Sequence, residues 1–273
     1  MKLRVFFHDR CFDGAASAAV FSRFYTAKIH PDAEFHYTGL AHRASQLFEE
    51  AHFDGDENAI VDFKYCSTPR LTWWFDHHQS AFLTPEDAEH FRQDRSGKKF
   101  FDPSYKSCTK FVAALARERF GFEAPDLGEL IEWADIIDGA QYPDAATAVK
   151  MEAPATQLSL VIEAASDQQL LPRLIPMMAS RTLAEIMLDP EIVELFQPLY
   201  RLHLESIEVI RGQARCEGPQ CPVVFFDLTD VGVEGYNKFI PYHLFPQSVY
   251  SVSISPSSYR TKISVGSNPW NNR

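Results

Sequence analysis

Three short apolar segments in the first part of the chain run directly into polar residues. The segments are Leu3 to Phe7, Ala59 to Val61 and Leu71 to Phe75, and the residues that follow them are His8 and Asp9, Asp62, and Asp76-His77-His78. Apolar runs of this kind, alternating with helix-like stretches, predict a parallel β-sheet with helices on both faces. Ligands of such sheets bind outside the carboxyl ends of the strands. We therefore expect these polar side chains to converge on one edge of the sheet.

The remaining segments predict a helical part followed by a second α/β part. In the first part, we also expect a helix from Gly14 to Tyr25, a strand from Ala33 to Tyr37 and a helix from Arg43 to Ala51. Apolar residues recur at helical spacing in 110–120, 127–137 and 191–210, and the helices of this region are expected to break at Pro172, Pro176 and Pro190. Strands are predicted at 223–226, 248–255 and 261–265, with a helix at 236–245.

These patterns predict an α/β protein with two domains. The expected division is a parallel-sheet domain over 1–180, a helical linker over 181–214 and a smaller C-terminal α/β domain over 215–273 that binds substrate. A chain of 273 residues is long enough to bury a sizeable core.

The chain is acidic, with a formal net charge of −11. An acidic surface gives no general attraction to nucleic acid, and no basic track is evident, so a long nucleic-acid substrate is not expected. No apolar run approaches the roughly 18 to 20 residues of a membrane helix, and the first apolar run is too short for a secretory signal. We therefore expect a cytoplasmic protein without a membrane partner, and the sequence allows a homodimer.

The cysteines give little indication of cross-linking. There are five, at positions 11, 66, 108, 216 and 221, an odd number that is widely spread and does not indicate a disulfide framework. Cys216 and Cys221 flank four residues and resemble half of a zinc site. Because no second pair lies nearby, a structural zinc ion is not expected.

The residues Asp76-His77-His78 suit the transfer of a phosphoryl group to water. That reaction needs charge neutralisation on the phosphate and an activated water, and two divalent cations roughly 3.5 to 4 Å apart supply both. Manganese and magnesium prefer carboxylate ligands, and manganese also accepts imidazole. Three solvated loop residues are the alternative interpretation. The apolar strand before the motif and the two similar strand ends favour a metal site.

The same motif resembles the one that gives the DHH phosphoesterases their name. The first motif of that family precedes an Ala/Ser-rich helix, and here the region reads His8-Asp9-Arg10-Cys11-Phe12-Asp13-Gly14-Ala15-Ala16-Ser17-Ala18. Asp62 matches the second motif, an Asp at a strand end, and Asp135 or Asp138 matches the fourth, an Asp in a helical stretch. The four motifs occur in the family's order, and the resemblance covers roughly residues 1 to 140.

The resemblance implies a metal-dependent phosphoesterase that hydrolyses its substrate by in-line attack of an activated water. Asp76 would bridge the cations, while the catalytic residues His77 and His78 would contact phosphoryl oxygens or complete a metal shell. Mn²⁺ is the expected cofactor, with Mg²⁺ or another divalent ion as the alternative. The implied metal ligands are His8, Asp9, Cys11, Asp13, Asp62, Asp76, His77, Asp135 and Asp138.

Two features depart from the family pattern. Cys11 stands where the family usually has a metal-binding Asp, so Cys11 ligates, Asp9 takes over this role, or one metal position is weak. The family's small domain usually ends in a Gly-Gly-Gly-His-type loop that grips substrate, and no such loop follows here, which leaves a natural short form or a missing final segment. Arg260, Lys262 and Asn268 are candidates for phosphate contact, with solvated edge-strand residues as the alternative.

The expected substrate is a phosphodiester of a nucleotide or short oligonucleotide, and a cyclic dinucleotide belongs to this class. Pyrophosphate or polyphosphate is the next candidate. A hypothesis from a different class is a catalytically silent sensor, which Cys11 and the absent glycine loop suggest. Such a sensor should be stabilised by a nucleotide or phosphorylated ligand, as linkage requires, and should leave it intact.

Overall fold

The computed structural model describes residues 1–41, 48–233, 235–257 and 260–271. The chain forms two compact units, of which the first is Met1–Gln141 with Val161–Ile192 and the second is Tyr142–Leu160 with Val193–Arg273. The sequence placed the domains at 1–180 and 215–273, whereas 142–160 and 193–214 group with the second unit. Each unit combines two separate stretches of chain, an arrangement that a linear boundary does not describe.

A five-stranded sheet lies at the centre of the first unit. Its strands are β1 (Lys2–His8), β2 (Glu34–Leu40), β3 (Glu57–Val61), β4 (Trp73–Asp76) and β5 (Lys99–Phe101). They lie in the order β2-β1-β3-β4-β5, and every neighbouring pair is parallel. The predicted parallel sheet is confirmed. β5 was not predicted, because three residues are too short a run to stand out from their surroundings.

The helices confirm the predicted helical character of the middle of the chain. They are α1 (Phe12–Lys28), α2 (Pro85–Gln93), α3 (Cys108–Phe120), α4 (Gly128–Asp138), α5 (Ala145–Val149), α6 (Pro154–Glu163), α7 (Leu170–Met178), α8 (Leu183–Ile186), α9 (Pro190–Gln213) and α10 (Ile240–Leu244). Glu50–His52 and Pro125–Leu127 are short 3-10 helices. The helix predicted from Arg43 to Ala51 lies mostly outside the described residues. No helix in the described part of the chain is long and apolar enough to cross a membrane.

Two prolines do not break the helical region as predicted. Pro176 lies inside α7, and Pro172 lies in the first turn of the same helix, where a missing N–H costs no helical hydrogen bond. Pro190 begins α9, as expected for a proline at the first helical position. The prediction that Pro172 and Pro176 separate helices is therefore wrong.

Helices cover both faces of the parallel sheet, as predicted. Trp73 and Phe75 of β4 pack against Phe21 of α1 on one face. Trp74 points to the other face and packs against Phe91 of α2. Because successive strand residues point to opposite sides of a sheet, β4 anchors both layers and holds the residues that follow it in a fixed position.

The second unit contains a four-stranded sheet in the order β6-β7-β8-β9. The strands are β6 (Arg215–Glu217), β7 (Val223–Asp227), β8 (Tyr250–Ser257) and β9 (Arg260–Ser267). Only β7 and β8 are parallel. The three strands predicted after residue 222 are confirmed, and the predicted helix at 236–245 is confined to the five residues of α10.

Cys216 and Cys221 form a disulfide in the second unit. The expectation that the cysteines form no disulfide is therefore wrong for this pair. Positive φ angles at Gly218, Gln220 and Cys221 turn the chain back on itself, which brings the two Cα atoms to 4.7 Å. The turn, rather than the spacing along the chain, makes the pairing feasible.

Candidate metal centre at the carboxyl edge of the sheet

The polar side chains that follow β1, β3 and β4 meet where the order of the strands reverses. β1 has β2 on one side and β3 on the other, which makes the β1/β3 boundary the switch point at which open α/β sheets bind ligands. His8 ends β1, and its Nδ1 lies 3.4 Å from Oδ2 of Asp62. His77, which follows β4, has its Nε2 3.4 Å from Oδ1 of Asp62. The structure thus brings together the three strand ends that the sequence singled out.

Asp62 is the central residue of this cluster. Its backbone has a φ of 56°, a left-handed conformation that is uncommon for residues other than glycine and often marks functional sites. The residue is 1% exposed, and neither carboxylate oxygen has a hydrogen-bond donor among the described residues. A buried carboxylate without donors is costly unless a nearby positive charge compensates it.

Asp62 is shared by two groups of ligand atoms. In each group of the described residues that could hold an ion, the ligand atoms lie within 4.8 Å of one another. One group combines Asp62 with His8 and Cys11, and another combines it with His77 and His78. Asp76, to which the sequence assigned the bridging role, is in neither group, although its Oδ2 is also buried without a hydrogen-bond partner among the described residues.

Asp13 enters the cluster from the first turn of α1. Its carboxylate accepts hydrogen bonds from the backbone N–H groups of Cys108 and Thr109, at 2.7 and 3.0 Å. These groups lie in the first turn of α3, where unpaired N–H groups and the helix dipole favour a negative charge. The side chain of Ser107 caps the same helix. The anchoring by α3 was missed, because it depends on where α3 begins in space.

His77 faces three carboxylates. Its Nε2 lies 3.4 Å from Asp62, 3.7 Å from Asp13 and 3.5 Å from Asp138. Its Nδ1 lies 3.1 Å from the carbonyl oxygen of Tyr105 and must carry the proton, because a carbonyl only accepts. In the neutral ring, Nε2 then directs a lone pair at the carboxylates. That arrangement is stable only with a positive charge between them, and a backbone carbonyl on the other nitrogen is the usual support of a metal-binding histidine.

The pKa values of Asp13, Asp138 and His77 are shifted in the direction that adds positive charge to the cluster. Burial, with the charges of Asp62 and Asp138, raises the pKa of Asp13 well above its usual value, and burial and Asp62 raise the pKa of Asp138. Burial lowers the pKa of His77, but its contacts with Asp62 and Asp13 outweigh that effect and raise it to about 10. These three shifts favour uptake of a proton, whereas the effect of burial on Asp62 is outweighed by its contacts with His77 and His8, which lower its pKa. A divalent cation would supply the same charge, so these residues fit a metal ion.

Asp76 positions the second histidine of the motif. Its Oδ1 accepts hydrogen bonds from the backbone N–H groups of His77 and His78, and it lies 2.7 Å from Nδ1 of His78. This last hydrogen bond raises the pKa of His78, although burial opposes the shift. The side chain of His78 is 31% exposed, so an oriented imidazole with a raised pKa borders the cluster.

Besides Asp76, two predicted metal ligands lie outside these groups. Asp135 forms an ion pair with Lys110 at 2.5 Å and accepts a hydrogen bond from Ser107, so it joins α4 to α3. Asp9 lies against β2, where a Cβ atom at Gly39 would come within 2.7 Å of its carboxylate carbon. The sequence left Asp135 and Asp138 as alternatives, and the structure brings Asp138 to His77.

The three predicted phosphate contacts are all in the second unit. The Asn268 amide donates to the carbonyl oxygens of Pro246 and Ser248 and accepts from the backbone N–H of Trp270. It is 1% exposed and stabilises a loop. Lys262 is exposed on β9. The side chain of Arg260 lies outside the described part of the structure.

Comparisons with known proteins identify the fold. No family model matches the chain, and no curated protein matches it. The structure is similar to the pGpG-specific phosphodiesterase PggH from Vibrio cholerae, with a TM-score of 0.67 and 19% identity over 99% of this chain and 84% of that chain. It is also similar to the DHH domain of a protein described as a member of a ribosomal-protein family, with a TM-score of 0.52 and 9% identity over 97% of this chain and 73% of that chain.

The chain therefore has the fold of the DHH phosphoesterases, as the order of its motifs predicted. At 19% and 9% identity these likenesses establish the fold. The activity is argued from the site itself, because one fold can host different functions.

Proposed function

We propose that this protein is a metal-dependent phosphoesterase that hydrolyses the phosphodiester bond of a nucleotide or short oligonucleotide. The observation that carries the proposal is the buried carboxylate of Asp62, which belongs to one ligand group with His8 and Cys11 and lies 3.4 Å from His77 of a second group with Asp13 and Asp138. Two cations that share a carboxylate are the arrangement that phosphoryl transfer to water requires.

In this proposal two cations bind at the ligand groups. The first would be held by His8, Cys11 and Asp62, and the second by Asp13, His77 and Asp138 together with Asp62. When bound, the cations would neutralise the phosphate and activate the attacking water. Mn²⁺ is the proposed ion, since it accepts imidazole and carboxylate, which make up the whole of the second position and all of the first except Cys11.

The remaining groups would orient the phosphate and hold the ligands in place. His78, fixed through Nδ1 by Asp76, would donate a hydrogen bond from Nε2 to a phosphoryl oxygen. Its raised pKa favours the protonated form that such a bond requires. The N-terminus of α3 holds Asp13. Preorganised groups of this kind need no rearrangement as charge develops on the phosphate.

A dinucleotide is the proposed substrate to test first. PggH, which shares the fold over nearly the whole of this chain, is a phosphodiesterase specific for pGpG. The net charge of −11 also argues against a long polyanion. Lys262, exposed on β9, is the proposed phosphate contact of the second unit.

The test is hydrolysis of bis-p-nitrophenyl phosphate and of a nucleotide panel that includes pGpG, pyrophosphate and polyphosphate. Each reaction is run with Mn²⁺, with Mg²⁺ or with a chelator. We expect cation-dependent cleavage of phosphodiesters that the chelator abolishes. Cleavage of pyrophosphate alone would replace the proposed substrate class. Ligand binding that raises the melting temperature without cleavage under any condition would overturn the proposal in favour of the sensor.

A further inference from the structure

Cys11 lies directly before the first residue of α1. It is the N-cap residue of α1, and its side chain makes no capping hydrogen bond. At the starts of α2, α3 and α5, by contrast, the side chains of Thr84, Ser107 and Asp144 each accept a backbone N–H. A side-chain cap of the kind made by these three residues is thus absent at position 11.

The start of α1 packs closely against the end of β1. This close packing places Cys11 beside His8. A Cβ atom at Gly14 would lie 2.2 Å from the carbonyl oxygen of His8, so only glycine permits this approach. As a result, Sγ of Cys11 belongs to the ligand group of His8 and Asp62. Asp62 adds an independent observation, because this fully enclosed carboxylate finds no donor among the described residues.

The distances of this group suit a small first-row cation. His8 Nδ1 and Asp62 Oδ2 lie 3.4 Å apart, and all three ligand atoms lie within 4.8 Å of one another. With metal–ligand distances of about 2.0 to 2.3 Å, the ligands of a tetrahedral ion are about 3.3 to 3.8 Å apart. A modest inward movement of the three side chains would therefore complete the group around an ion.

The two cation positions differ in the softness of their ligands. The first offers sulfur, nitrogen and oxygen, whereas Asp13, His77 and Asp138 offer only nitrogen and oxygen. Thiolates favour zinc, iron and cobalt over magnesium, and carboxylates favour magnesium and manganese. We propose that Cys11 is a thiolate ligand of the first position, which makes this position selective for a softer ion than the second. This inference rests on the proposed function, since it concerns the same two-cation site.

Cobalt spectroscopy tests the sulfur ligand without an activity assay. The protein is loaded with Co²⁺, and both the visible ligand-field bands and the near-ultraviolet sulfur-to-cobalt charge-transfer band are recorded. The same spectra are taken for Cys11→Ser, Cys11→Asp and the control Cys66→Ser. We expect the charge-transfer band in the wild type and in Cys66→Ser, and its loss in both Cys11 variants. Cys11→Asp should still bind two equivalents of Co²⁺, because aspartate supplies an oxygen ligand at the same place.

The outcomes separate this inference from the proposed function. Ligand-field bands without a charge-transfer band in the wild type would overturn the sulfur ligand and leave the phosphoesterase proposal intact. A charge-transfer band that persists in Cys11→Ser would assign the sulfur to another cysteine and overturn the inference in the same way. Absence of all cobalt bands in the wild type would contradict both proposals.

A competition experiment tests the selectivity. Wild type and Cys11→Asp are equilibrated with Mn²⁺ in excess and a series of buffered Zn²⁺ concentrations, and the bound metals are measured after gel filtration. Zinc outcompetes manganese at nitrogen and oxygen ligands as well, so the difference between the proteins is the readout: we expect zinc to replace manganese at the first position of the wild type at a Zn²⁺ concentration at least tenfold lower than in Cys11→Asp. Equal metal content in the two proteins would contradict the inference.

Discussion

The two ends of strand β3 carry carboxylates in opposite surroundings. Glu57, at the amino end, accepts hydrogen bonds from Tyr25, Trp73 and Lys98 at 2.6 to 2.9 Å. Asp62, just beyond the carboxyl end, is more deeply buried, yet no described residue donates to either of its oxygens. Glu57 begins β3 and Asp62 directly follows it, so the contrast is between the two edges of one sheet.

The two edges of the sheet show how a buried charge that stabilises the fold differs from one that can bind a ligand. At the amino edge each charge has its partners within the protein, and the result is stability. At the carboxyl edge the carboxylates of Asp13, Asp62 and Asp138 all face the imidazole of His77, and only Asp62 also lies beside His8; a bound cation would complete the arrangement. Buried charges with too few partners identify a binding site more directly than the acidic composition does.

The largest expected effect is at Asp62. Asp62→Asn keeps the shape of the side chain but removes the charge shared by the two cation positions. We expect phosphodiesterase turnover with Mn²⁺ to fall by at least about 10³-fold, at the upper end of what one electrostatic group contributes. Steady-state kinetics measures the loss, and far-UV circular dichroism checks the fold. Turnover within tenfold of the wild type would contradict the proposed role of Asp62 in binding the cations.

A second prediction separates two carboxylates on one helix. Asp138→Asn should reduce turnover by about 10²-fold, because it removes a ligand from the second position. Asp135→Asn, three residues earlier on α4, is the matched control and should stay within about threefold, because its partners are Lys110 and Ser107. The reverse ranking of the two variants would place the cation next to Asp135.

The sequence predicted most of the residues that meet at this site, but not which of them face one another. The strand ends marked His8, Asp62 and the residues Asp76-His77-His78, because an apolar run followed by a charge is readable without a structure. Asp135 and Asp138 are three residues apart on α4 and share a helix face, so spacing alone could not decide between them. That decision depends on Lys110 of α3, which pairs with Asp135.

The sequence also predicted only part of the fold. The alternation of apolar runs with helical periodicity predicted β1 to β4, but α2 and β5 were missed. α2 is a short polar helix without a fully buried residue, so it leaves little hydrophobic pattern to detect. Asn268, proposed as a phosphate contact, instead bonds to backbone groups of a loop that only the folded chain forms.

A third prediction concerns the residue that supports His78. Asp76→Asn weakens the hydrogen bond that orients the imidazole and lowers its pKa. We expect turnover to fall by about 10- to 100-fold, the usual cost of losing a supporting partner in a metal site. The Kd for Mn²⁺, measured by calorimetry, should change less than in Asp62→Asn. A larger loss of Mn²⁺ affinity than in Asp62→Asn would instead make Asp76 the shared ligand.

The smallest effect on catalysis is expected at the opposite end of β3. Glu57→Gln should leave turnover unchanged and reduce the free energy of unfolding by about 1 to 3 kcal/mol at pH 7, because it weakens three hydrogen bonds to a charged acceptor. Denaturant titration measures the difference. An unchanged free energy of unfolding would show that the Glu57 carboxylate does not stabilise the fold.

The difference in free energy of unfolding between wild type and Glu57→Gln should depend on pH, because the pKa of Glu57 is shifted. Burial raises the pKa, but hydrogen bonds from Lys98, Trp73 and Tyr25 outweigh this effect and lower it below its usual value. A carboxyl group with a lowered folded-state pKa stabilises the fold above its unfolded pKa of roughly 4.3, and this contribution is lost as the pH falls towards the folded value. The stability gap between wild type and Glu57→Gln should therefore narrow below about pH 4.

Calorimetric titration with Mn²⁺ tests the central claim most directly, because it counts the ions that the carboxyl edge of the sheet binds. Wild type, Asp62→Asn and Glu57→Gln are titrated side by side after treatment with chelator. The account predicts two Mn²⁺ ions per chain in the wild type and in Glu57→Gln, and a loss of tight binding in Asp62→Asn. Failure of the wild type to bind Mn²⁺, or binding by Asp62→Asn with the same stoichiometry and affinity, would contradict a two-cation centre organised around Asp62.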